Sequence, residues 1–165
     1  MIENTISRNK FLKLFAKVSA VLYIGSKTIG CAAHGNIPKL KGISENDYLG
    51  FHAIQKVFLE GNPVPDFDLG LALDNYVYGH PYPIETEDLI LFLAGIPSST
   101  LIAFALDFSF TPLSELNKDE MERRLLSWKT SSLVMKRGLY SILRQFSFFL
   151  LSSDKRFQTY MGYNA

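Results

Sequence analysis

The sequence predicts an all-α protein: a compact bundle of roughly five or six helices, preceded by a signal-like helix at the N-terminus. Two capping signals carry that reading, Ser44-Glu45-Asn46-Asp47 and Asn117-Lys118-Asp119-Glu120. Each places an oxygen-bearing side chain where it can accept an early backbone N–H of the helix that follows. Apolar residues after both caps recur at helical spacing, and no period-two strand pattern persists anywhere in the chain. The 165 residues are 47% hydrophobic and 20% charged, which suits one packed domain and argues against disorder.

After Ser44, Phe51, Ile54 and Phe58 share a face until Gly61 ends the run. Asn62-Pro63-Val64-Pro65 then forces an extended turn, because proline disfavours helix in the residue before it. A second helix is expected over Leu69–Tyr78, with Leu69, Leu73, Tyr76 and Val77 inward and Gly79-His80-Pro81 as its stop. Residues 89–108 are the most apolar internal stretch, but Gly95, Pro97 and Ser98-Ser99-Thr100 interrupt them. That pattern predicts two short buried helices in preference to a membrane span. Asp119, Glu120 and Glu122 crowd the first turn of the next helix, where negative charge complements the helix dipole. Leu125, Trp128 and Ser131 line one of its faces. A last helix over 132–151 carries Val134, Leu139, Ile142, Leu143, Phe146 and Leu150 as a broad apolar face.

The N-terminus reads as an export signal. Ser7-Arg8-Asn9-Lys10-Phe11-Leu12-Lys13 is basic, and an apolar run follows from Val18 to Gly25. That run is shorter than the roughly 20 residues that cross a bilayer. The basic segment resembles the twin-arginine export pattern, departing from it at Asn9, where the second arginine would stand. Thr28-Ile29-Gly30-Cys31 resembles a bacterial lipoprotein processing site, which makes Cys31 a candidate for lipidation. The alternative for Cys31 is an ordinary cysteine near a cleavage site or in an amphipathic helix. The expected organisation is an export signal at 1–31, a linker at 32–43 and a helical domain at 44–165. An exported protein, periplasmic or tethered to the membrane by a lipid anchor, is the corresponding location.

Composition excludes several chemistries. A net charge of +1 gives no electrostatic reason to expect nucleic acid. One cysteine excludes an internal disulfide and a cysteine-cluster metal site, and His34, His52 and His80 lack metal-ligand spacing. Neither a dinucleotide-binding fingerprint nor a Gly-x-Ser-x-Gly elbow is present, and Gly25-Ser26-Lys27-Thr28 lacks the upstream glycine and strand of a phosphate loop. No catalytic, cofactor-binding or metal-binding residue is expected in this chain. Asp66, Asp68 and Asp74 are explained by dipole complementarity and solubility, and His52 by packing or surface placement.

Leu116, Leu125, Trp128 and Ser131, followed by the basic-glycine step Arg137-Gly138, by Arg144 and by Gly162-Tyr163, fall in an order and spacing that resembles the gluconate 2-dehydrogenase subunit 3 family. The resemblance spans roughly residues 45–163 and is specific from Leu116 onward. It differs from the usual pattern at Leu113, where the family carries Phe. The resemblance implies a non-catalytic small subunit that binds, and helps mature and export, a large flavoprotein dehydrogenase of the glucose-methanol-choline type acting on a sugar or sugar acid. FAD would then reside in the partner, and a cytochrome c subunit is a further partner of such complexes. Trp128, Arg137, Arg144, Gly162 and Tyr163 become candidates for the partner interface or the family motif. The plainer account has Trp128 in the core, the arginines at helix ends or paired with acids, and Gly162 in a tight turn under Tyr163. A stand-alone helical lipoprotein with a binding or scaffolding role is the alternative function.

Overall fold

The computed structural model describes residues 37–79 and 87–163. The signal-like segment, Cys31, His34 and His80 lie outside the described residues. Among those described there are seven α-helices, one 3-10 turn and no strand. They are α1 Glu45–Phe58, α2 Leu69–Tyr78, α3 Glu87–Gly95, α4 Thr100–Asp107, α5 Lys118–Lys129, α6 Val134–Ser152 and α7 Lys155–Tyr160, with the 3-10 turn at Leu113–Glu115. The all-helical expectation holds, and the short α7 is the element that periodicity had not marked.

Local chemistry sets the helix starts. Ser44 Oγ accepts the Asp47 N–H at 3.1 Å and its hydroxyl donates to Asp47 Oδ2 at 2.8 Å. Burial pushes the Asp47 carboxyl up, and the Ser44 hydrogen bonds oppose that rise. Asn117 Oδ1 accepts the Glu120 N–H at 2.9 Å, and Ser99 Oγ accepts that of Ile102 at 3.2 Å. Asp68 caps α2 through the Leu71 N–H at 3.0 Å, and Asp154 caps α7 through that of Arg156 at 2.8 Å. Each is a short-range bond of the kind that sequence alone displays.

Helix α1 is the hub. It packs against α2, α3, α5 and α6, and α2 also lies along α6. Phe51, Ile54, Leu69, Leu73, Ile96, Met121, Leu125, Trp128, Leu143 and Leu151 are all nearly or wholly sealed from water. The α1–α2 crossing is close because Gly70 has no side chain: a Cβ there would fall 2.5 Å from the Tyr48 ring. Gln55 on α1 clamps the entry to α2, donating from Nε2 to the Phe67 carbonyl at 2.5 Å and accepting the Leu69 N–H through Oε1 at 2.6 Å.

Asp74 corrects the sequence reading. It is 1% exposed, so solubility does not account for it. Oδ2 accepts the Lys41 N–H at 2.7 Å, and Oδ1 accepts those of Gly42 at 3.0 Å and Ile43 at 3.1 Å. The carboxylate thus ties the strand of chain entering α1 onto α2, and the compact unit extends from Ile37. A buried carboxylate is tolerable where backbone donors surround it.

Helices α3 and α4 break where Pro97 and Ser99 predict. They bend by 71° across the break, and no single described helix is long and apolar enough to cross a membrane. The expectation that both would be buried is corrected. Ile90, Leu93, Ala94, Ala103 and Leu106 face inward, whereas Leu89, Phe92, Leu101 and Phe104 are exposed. On α6 the expected face is narrower than predicted. Leu143, Ser147, Leu150 and Leu151 are buried, Leu139 and Phe146 half-buried, and Val134 and Ile142 face water. The buried stripe follows the surface that α1 and α2 offer, which hydrophobicity along α6 does not reveal.

Candidate partner-binding face

Helix α4 is thinly covered: only Ala103 and Leu106 among its residues are buried. Leu101, Phe104, Ala105 and Phe108 follow one another at the spacing of a single helix face, and all four are exposed. Phe110 joins them from the loop. Its ring stacks on Phe104 with centroids 5.0 Å apart and planes 23° from parallel, while Phe108 meets Phe104 edge-on at 6.0 Å. The product is an aromatic platform open to water.

Phe108 reaches that position through an uncommon backbone. It ends α4 in the left-handed region, with φ 53° and ψ 32°, and its N–H bonds to the Ala103 and Phe104 carbonyls. It is the only non-glycine residue with positive φ among those described. A bulky residue there costs about 1–2 kcal/mol, so neighbouring contacts must hold it.

Those contacts converge on Asp107, whose side chain is 10% exposed. The Trp128 indole Nε1–H is shared between Asp107 Oδ1 and Oδ2, each 2.9 Å away. Lys136 Nζ donates to Oδ1 at 2.8 Å, and Arg124 Nε lies 3.9 Å from Oδ2. Arg124 also donates to the Thr111 carbonyl at 2.5 Å and to Ser109 Oγ at 2.9 Å. A carboxylate at the last turn of a helix opposes the dipole, and this set of donors offsets the mismatch. The node bolts the end of α4 and the loop 108–111 to α5 and α6, which makes the platform rigid.

The residues singled out from sequence separate into distinct roles. Trp128 is 1% exposed; it packs the core and donates to Asp107. Arg137 is exposed and donates from Nη1 to the Ser131 carbonyl at 2.5 Å, closing the α5–α6 turn. Arg144 is exposed, with its guanidinium 5.0 Å above the Phe148 ring. Each arginine thus engages a group on its own helix or in the turn before it. Gly162 and Tyr163 terminate α7: Gly162, at φ 84°, bonds its N–H to the Thr159 carbonyl, and Tyr163 bonds its own to that of Gln158. This pair of bonds is a Schellman cap. The Tyr163 side chain is exposed and does not close over Gly162. Sequence reading passed over Asp107, Lys136, Arg124, Phe108 and Phe110. The faint available signal was an aspartate at the wrong end of an apolar helix.

A second polar cluster lies between α1 and α2. Tyr48 donates its hydroxyl to Asp68 Oδ2 at 2.8 Å, and its ring stacks on His52 at 5.6 Å. His52 Nδ1 is 3.5 Å from the same carboxylate oxygen, enclosed but without a hydrogen bond. Burial raises the Tyr48 hydroxyl to about 12, helped by its bond to Asp68. Burial by itself would raise Asp68 too, but His52, the Leu71 N–H and Tyr48 outweigh it and hold the carboxyl below its ordinary range. Asp68 is thus committed to capping and cross-linking. Among the described residues no cluster of three His, Cys, Asp or Glu side chains is placed to hold a metal ion. Two shallow depressions are lined by Ile142, Gln145, Phe146 and Phe149, and by Ser152, Phe157, Gln158, Met161 and Tyr163. Besides the α4 platform, large apolar side chains are exposed at Leu89 and Phe92, at Leu133, Val134 and Met135, and at Tyr160, Met161 and Tyr163. No protein-family description, curated protein or solved structure matches the chain.

Proposed function

We propose that this chain is the non-catalytic small subunit of an exported, flavin-dependent dehydrogenase acting on a sugar or sugar acid, of the gluconate 2-dehydrogenase subunit 3 type. It binds the large flavoprotein and assists its maturation and export, with FAD carried by that partner and a cytochrome c subunit as a further component. Residues 1–31 would direct export, and Cys31 would supply a lipid tether to the membrane. The observation that carries the reading is the exposed, rigid aromatic platform on α4, because contiguous apolar surface of this kind marks interaction sites. The ordered run Leu116, Leu125, Trp128, Ser131 and Gly162-Tyr163 supports the same family.

Co-expression with a flavoprotein dehydrogenase of the glucose-methanol-choline type from the same genome tests the proposal. A stable complex is expected, with flavin absorbance following the large chain and none bound by this subunit alone. Purified alone, the subunit should self-associate or aggregate. A soluble monomer that ignores the flavoprotein would refute the proposal and favour a stand-alone helical lipoprotein.

A further inference from the structure

We draw no further inference here: the strongest candidate, the exposed aromatic face that Phe104, Phe108 and Phe110 form at the end of α4, carries none because nothing in the structure shows what covers it.

Discussion

Lys136→Met would cut the Asp107 node at one arm and report how strongly the parts share load. The Lys136 and Asp107 side chains are 15% and 10% exposed, with Nζ 2.8 Å from Oδ1. Removing one partner of a buried ion pair costs about 3–5 kcal/mol. Trp128 Nε1 at 2.9 Å and Arg124 at 3.9 Å remain beside the carboxylate, so the expected cost falls to about 2 kcal/mol. Trp128→Phe removes the indole donor and some core volume, for about 3 kcal/mol. The double variant should cost more than the sum of the two by about 1 kcal/mol, because each single variant leaves the other donor to compensate the carboxylate. Urea unfolding followed by circular dichroism measures all four corners of this cycle. Additivity to within about 0.3 kcal/mol would refute a shared node. Single losses under about 0.5 kcal/mol would place Lys136 among ordinary surface residues.

Asp74→Ala should destabilise by about 3 kcal/mol, since a buried carboxylate with three backbone donors is lost; a thermal melt unchanged from the parent would contradict the tie between 41–43 and α2. Tyr48 has its hydroxyl raised from 10.0 to about 12 in the folded protein, so the neutral phenol is favoured by folding. Its contribution is complete below pH 10 and declines as pH rises toward 12, and Tyr48→Phe should flatten that part of the stability–pH curve. At the acid end, the depressed Asp68 carboxyl contributes stability above its ordinary value of 3.8 that is lost as pH falls below it, and Asp68→Asn should remove this dependence. Gly162→Ala should loosen the end of α7 by about 1 kcal/mol because φ there is positive, seen as faster amide exchange at Gly162 and Tyr163.

What the sequence determined by itself was the helical class, the second helix over Leu69–Tyr78, the break at Pro97 and the caps at Ser44 and Asn117. These are local facts. A cap joins residues three apart, and a proline acts on its own neighbours, so no knowledge of the remaining chain is needed. Trp128 was legible as a core residue for a similar reason, because few sites accommodate an indole except the interior. Tertiary structure alone decided which apolar residues stay in water. Leu106 and Phe104 stand two positions apart on one helix, one buried and one exposed, because α4 has packed neighbours on a single side. Tertiary structure also made Asp74 and Asp107 structural. Their donors lie more than twenty residues away in sequence, at Lys41–Gly42–Ile43 and at Trp128 and Lys136. A carboxylate's energy depends on the donors that surround it after folding, and no spacing rule along the chain encodes those distances.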